Sequence, residues 1–210
     1  MICQKKPTAL QSGRMKASDD NGQHWFPAPI WIDFGSGSMG QDARIECICK
    51  TIGAMAHVFK NEEAREKIDR ATVVYAVESW KPVAEGVEGG LFWGNSTVFP
   101  GLVGDEYFMT RGHFHVKRDR AEYYATITGT GLLLIMDEQR RATVQEMSPG
   151  STHYIPGHTA HRVINTGEVP LRFLACWPSD AGHDYASIDE QGFSVRVMRR
   201  NGRPQIVNQG

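Results

Sequence analysis

The chain has 210 residues, with 23 Lys and Arg against 24 Asp and Glu and a formal net charge of -1, a balance that gives no case for binding nucleic-acid phosphates. Hydrophobic residues make up 40%, yet nowhere do roughly 18 of them run together as a membrane span requires, and the basic start lacks the apolar stretch of a secretory signal. One substantial core and a cytoplasmic setting are expected. In chain order, the first twenty or so residues are polar and without period, an arm. Trp25 to Phe34, WFPAPIWIDF, is dense in aromatics and proline and reads as an extended segment covering part of a core. It carries more large apolar groups than one arm buries locally, and with the open edges of an antiparallel sheet this predicts a two-fold dimer. From Arg44 to Asp69, the apolar positions Ile45, Ile48, Ile52, Met55, Val58 and Phe59 recur at threes and fours, predicting an amphipathic helix. Asn61 before EEAREKIDR reads as the N-cap of a second, short helix with acidic first-turn residues. Cys3, Cys47, Cys49 and Cys176 are too few and scattered for a disulfide framework, and the Cys47/Cys49 pair lacks the second pair of a structural zinc site. All four read as reduced, packed thiols.

After Ala71 the chain becomes a series of short β-branched or aromatic runs separated by turn residues such as Pro100-Gly101, Pro149-Gly150 and Pro156-Gly157. Strands are expected at 72–78, 91–99, 106–115, 122–128, 131–136, 142–147, 151–155, 161–165 and 171–177. No helical pattern interrupts them, so the sheet is antiparallel. The organisation predicted is mainly β, a barrel or sandwich over 71–200, with a helical and extended N-terminal region over 1–70 and a tail over 201–210.

Chemistry concentrates in one part of this series. His113 and His115 stand two apart, which on a strand brings both imidazoles to one face. Glu122 follows seven residues later, where a bend through VKRDRA lets an antiparallel neighbour place its carboxylate beside them, and His161 opens a strand after a Pro-Gly turn. A lone strand histidine is ordinarily a surface or hydrogen-bonded residue. Three His and one Glu together suit Fe(II), Mn(II), Ni(II) or Zn(II), with positions left for substrate. Tyr124, two beyond Glu122, shares its face, and Gly112 lets a ligand approach the backbone before His113. Thr110 faces away from His113 on a regular strand; a bulge at Gly112 would reverse that. His183 and Tyr185 lie in a loop, DAGHDY, after the last expected barrel strand.

H-x-H, then Glu122 and Gly129, followed by Gly150-x5-Pro156 and His161-x3-Asn165, resemble the paired motifs of the cupin family over about residues 94 to 185. Two departures stand out: six residues separate His115 from Glu122 where three or four are usual, and His158 stands where the second motif normally has Gly. With PGLVGDEYFMTRGHFHVKRDRAEYYATITGTGLLLI and YIPGHTAHRVINTGEVPLRFLACWPSDAGHDY, they make the chain closely similar to the cupin-type glucose-6-phosphate isomerases. The resemblance implies a jelly-roll-like cupin barrel and a cytoplasmic homodimer interconverting glucose 6-phosphate and fructose 6-phosphate in glycolysis and gluconeogenesis. It implies one divalent metal ion per subunit, Fe2+ foremost with Mn2+, Zn2+ or Ni2+ as alternatives, on His113, His115, Glu122 and His161. It also implies phosphate contacts at Thr110, Gly112, Tyr185, Ser96 and Tyr75, and sugar contacts at Tyr124, His183 and Gly94, with Glu122, Tyr124 and His183 catalytic. Trp177 stands where related sequences often carry Tyr.

Moving hydrogen between C1 and C2 requires stabilisation of charge developing on O1 or O2, a Lewis-acid task. Glu122 is the base by position, although coordination lowers carboxylate basicity. A cis-enediol route with Glu122 as base is preferred, and a hydride shift without a base stays open. An Fe(II) cupin dioxygenase and a non-catalytic sugar-binding cupin are the competing classes; neither needs a phosphate anchor.

Overall fold

The structure, a computed structural model, describes residues 27–40 and 42–209; the polar arm, Cys3 and Trp25 lie outside the described residues. Its elements are β1 (Ile45–Thr51), a 3-10 turn (Ile52–Ala54), α1 (Glu62–Glu66), β2 (Val73–Trp80), β3 (Leu91–Val98), β4 (Leu102–Val103), β5 (Glu106–Tyr107), β6 (Glu122–Thr128), β7 (Gly131–Asp137), β8 (Ala142–Met147), β9 (Thr152–Ile155), β10 (Thr159–Asn165), β11 (Leu171–Pro178), α2 (Ala186–Gln191), β12 (Val195–Arg200) and β13 (Arg203–Asn208). Three sheets result, ordered β1-β2-β3-β11-β6-β9, β10-β7-β8 and β13-β12-β5-β4. Their named ladders are antiparallel, giving the expected mainly β, antiparallel class.

Alternation along the strands builds the core. Tyr124, Phe173 and Val98 from the first sheet and Leu133, Ile135 and Val163 from the second belong to one buried cluster. Tyr124 crosses between the layers, its ring 4.6 Å from that of Phe173 and 5.8 Å from that of His161. His161, one of the metal-ligand candidates, therefore borders the packed apolar interior.

Several expectations are corrected. Residues 44–69 do not form one helix: their first part is the strand β1, paired with β2 from Ile45↔Trp80 onward. Gly53 interrupts the helical run, where glycine costs about 1 kcal/mol relative to alanine, and the free edge of β2 offers the preceding residues a ladder. Ile52, Met55, Val58 and Phe59 are still buried, carried by the 3-10 turn and the turns after it. The short helix is α1, with the Asn61 side chain accepting from the Ala64 N–H at 2.9 Å. The strand expected over 106–115 is broken: β5 ends at Tyr107, and isolated bridges continue the pairing. The tail over 201–210 is instead half of the β12/β13 hairpin, turned at Asn201 and Gly202, both with positive φ (51° and 75°); such a turn favours Asn-Gly. Trp31 and Phe34 cover no core, being 72% and 69% exposed. Their segment folds back on itself through an Ile32↔Met39 bridge, and the Arg172 guanidinium ties it to the sheet through the Ser36 carbonyl at 2.8 Å. Cys47 is exposed rather than packed. Among the described residues no helix is long and apolar enough to cross a membrane.

Candidate metal centre and anion pocket

His113, His115, Glu122 and His161 converge, each offering one donor atom, all within 4.8 Å of one another. Three of them are buried and His113 is half-buried, so the cluster is accessible on the His113 side. The His113↔His161 bridge, with N–H to carbonyl bonds of 3.1 and 3.3 Å, brings two of the ligands together; β6 supplies the third and His115 the fourth. Glu122 Oε1 lies 2.6 Å from His161 Nε2 and 3.7 Å from His115 Nε2. Yet Glu122 Oε1 and His161 Nε2 are buried without an aligned hydrogen-bond partner among the described residues. Unsatisfied buried polar atoms are rare. Three nitrogens and a carboxylate oxygen turned on one point fit a divalent transition-metal ion.

The surroundings prepare these donors. His115 Nδ1 is 2.8 Å from the Arg120 carbonyl, which can only accept, so Nδ1 carries the proton and Nε2 keeps its lone pair for the cluster. The six-residue spacer before Glu122 supplies that carbonyl. Its loop is anchored on Asp180 by Lys117 Nζ at 2.7 Å and Arg120 Nη2 at 2.8 Å. His158, the other departure, sits in the left-handed region with φ 61°, where glycine is the usual residue, and its N–H donates to the Arg118 carbonyl of the same loop. Loss of solvent, with His161, His183 and His115 as neighbours, holds His113 well below an ordinary imidazole, and burial lowers His115 likewise. Burial pushes Glu122 up, but the His161 imidazole outweighs it and the carboxyl ends below its usual range. Tyr124 is driven well above the ordinary phenol by burial and by Glu122, so it stays protonated beside that carboxylate.

A pH dependence of stability follows. His113, His115 and, on the other side of β6, His153 are all lowered in the folded chain, chiefly by burial, whereas unfolded imidazoles titrate near ~6.5. Below that pH the unfolded chain binds more protons, so the metal-free protein loses stability as pH falls through about 6.5. Urea midpoints taken from pH 7.5 down to 5 should decline; a flat or rising series contradicts this electrostatic picture.

The second part of the site is a bulge. Met109 pairs with Ile164 and His113 with His161, so three residues on one chain face two on the other. The extra residue lies at Arg111-Gly112, where Gly112 has φ 76°. Thr110 pairs with Val163, its N–H donating to the Val163 carbonyl at 2.9 Å and its Oγ1 accepting from the Val163 N–H at 3.0 Å. Val163 and His161 share a face, and the bulge thus turns Thr110 to the side of His113. The Tyr75 hydroxyl sits against the Arg111 backbone amide, and burial raises Tyr75 to about 12. Tyr185 lies under the Arg111 guanidinium at 4.7 Å and 5.5 Å from the His113 ring. His183 is 4.4 Å from His113 and stacks with Tyr185 at 5.8 Å. Their loop is fixed by the reciprocal Phe114–Asp184 backbone pair and by Arg118 on Asp184.

Gly94 and Ser96 lie on β3, in register with Ser79 and Val77 of β2. Ser96 is buried. A Cβ on Gly94 would come within 2.9 Å of the Trp177 ring, so Gly94 makes room for that indole. Asp180, Arg118 and Arg162 were not anticipated; each acts across a sequence gap of at least fifty residues, which no local pattern signals.

A family model described as glucose-6-phosphate isomerase (GPI) matches residues 49–209. The glucose-6-phosphate isomerase of Pyrococcus horikoshii is 40% identical over 187 residues, 87% of this chain and 95% of that protein. That of Thermococcus onnurineus is 42% identical over 186 residues, 87% and 94% of the two chains, and that of Sinorhizobium medicae 34% over 177 residues, 82% and 80%. Among solved structures, oxalate decarboxylase from Bacillus subtilis is similar at a TM-score of 0.42 and 23% identity, over 52% of this chain and 26% of that one.

Proposed function

We propose a reaction for this site on one premise: the chain belongs to the glucose-6-phosphate isomerase family. The reaction is the interconversion of glucose 6-phosphate and fructose 6-phosphate, dependent on a divalent metal ion. His113, His115, Glu122 and His161 hold that ion, Fe2+ foremost and Mn2+, Zn2+ or Ni2+ otherwise. The bound ion supplies Lewis-acid stabilisation for charge on the sugar oxygens. The observation that carries the reading is the convergence of four donors, with Glu122 Oε1 and His161 Nε2 buried and without an aligned hydrogen-bond partner among the described residues.

The bulge side of the pocket takes the phosphate: the Thr110 hydroxyl, whose oxygen already accepts from Val163 and whose proton remains to donate, the Gly112 N–H, and the Tyr185 and Tyr75 hydroxyls, with Ser96 deeper on β3. Held there, the sugar lies along His183 and Tyr124 with C1 and C2 near Glu122. Glu122 is ionised at neutral pH and removes the proton from C2 of the open-chain aldose as O1 gains a proton, then returns it to C1 of the cis-enediol as O2 gives its proton up, the hydroxyl proton passing from O2 to O1 overall, while Tyr124 donates to the carboxylate and orients it. No oxidant or reductant is consumed. The protein works in the cytoplasm as a homodimer, and the outward-facing Trp31, Phe34 and Ile48 support the dimer.

The test compares substrates with and without oxygen. Reconstituted protein should turn over fructose 6-phosphate at the same rate in air and under anaerobic conditions, and should use unphosphorylated fructose far less well, because binding of a remote phosphate holds C1 and C2 in place. Oxygen-dependent product formation, or equal specificity constants for the two sugars, would overturn this assignment.

A further inference from the structure

Arg162 follows His161 directly on β10, so it points to the opposite face of that strand. It is buried, 5% exposed. Among the described residues no carboxylate lies within ion-pair distance of it: Glu106 is taken by Arg196 at 2.7 Å and Asp189 by Arg111. Its guanidinium lies 4.5 Å from the Phe193 ring centroid. Both Nε, at 3.2 Å, and Nη2 donate to one acceptor, the Arg111 carbonyl. A buried cation spent on a single backbone oxygen is an expensive arrangement.

That oxygen belongs to the peptide that forms the bulge. In a trans peptide the carbonyl and the N–H point in opposite directions, and there are no cis bonds among the described residues. Drawing the Arg111 carbonyl toward Arg162 therefore turns the Gly112 N–H toward the side of His161, where it has no acceptor among the described residues. The fit leaves no room for another residue: a Cβ on Gly112 would stand 2.6 Å from the Phe193 ring and 3.1 Å from Arg162 Nε.

We infer that Arg162 is a positioning residue for the substrate phosphate, fixing the Arg111–Gly112 peptide so that the Gly112 N–H is presented to the anion. Its charge also polarises the peptide from the carbonyl end, which strengthens the N–H as a donor. The inference rests on the phosphate reading given above and adds to it the group that aims the amide. Arg162 itself does not touch the phosphate.

The experiment uses full-length, metal-loaded protein carrying Arg162→Met, Arg162→Lys or Phe193→Leu, with inorganic phosphate as competitive inhibitor. For Arg162→Met, KM for fructose 6-phosphate and the inhibition constant of phosphate should both rise roughly 10- to 100-fold, the scale of one lost hydrogen bond to a charged group. Metal content and kcat should change little, and the specificity constant for unphosphorylated fructose should not move. Arg162→Lys, keeping the charge with a single point donor, should recover part of the phosphate affinity. Phe193→Leu, which removes only the aromatic platform, should give a smaller shift in the same direction and keeps the test decisive if Arg162→Met does not fold. A folded Arg162 or Phe193 variant that binds phosphate like the wild type, or one that loses kcat on both sugars equally, would overturn the inference. Wild-type protein that ignores phosphate altogether would sink the phosphate reading itself, a distinct result.

Discussion

Glu122→Gln is expected to lower turnover of fructose 6-phosphate by ~10²–10⁴-fold, the usual cost of removing a general base. The amide keeps an oxygen at the position of Glu122 Oε1 and fills the same volume beneath Tyr124, so the fold should persist and part of the metal with it. What it cannot do is accept a proton. Turnover and metal content must be measured on the same preparation, since loss of both says only that a ligand has gone. A variant with normal metal and nearly unchanged turnover would remove Glu122 as the base. Wild-type protein run toward glucose 6-phosphate in deuterated water should place deuterium at C2. Its failure to do so, with a base that exchanges during the life of the intermediate, would favour the hydride shift.

Larger still is the effect expected at the imidazoles. His113→Ala and His161→Ala should lose metal and bring activity to background, as should stripping the wild-type protein with a chelator, with activity returning when Fe2+, Mn2+ or Zn2+ is restored. Three donors from different segments hold an ion far less well than four, and each imidazole must be neutral to bind. Both variants should still fold. The core is carried by Leu133, Leu171, Phe173, Val163 and Ile164, all at most 2% exposed, and none of these is a ligand candidate. Stoichiometric metal in both variants by elemental analysis, or a full rate in metal-free wild type, would end the metal-site assignment.

The strands were legible because their signals are local. β6 and β8 begin and end where the pattern of β-branched and aromatic residues does. β1 was not legible: an edge strand with little buried surface has no need to alternate, and Ile48, half exposed, fell into an accidental helical spacing. The β12/β13 hairpin had its signal in Asn201-Gly202, but the residues around it alternate weakly because much of β13 is solvated. In the site, the convergence of His113, His115, Glu122 and His161 was legible, since an H-x-H pair on one strand face and a carboxylate opening the next strand are local signals. The groups that hold them were not: the contacts of Asp180 with Arg120 and of Arg162 with Arg111 depend on how distant strands come together.

The extra residue at Arg111-Gly112 works as a phase shift in the alternation of the strand. Upstream of it, Met109 keeps step with Ile164; downstream, His113 keeps step with His161, one residue later. Without that slip, Thr110 and His113 would fall on opposite sides of the sheet. The placement of Thr110 beside His113 thus depends on the count of residues between them as much as on their identity. A segment one residue shorter would restore a regular register and keep Thr110 and His113 on one face, but it would lose the bulged peptide whose carbonyl Arg162 holds.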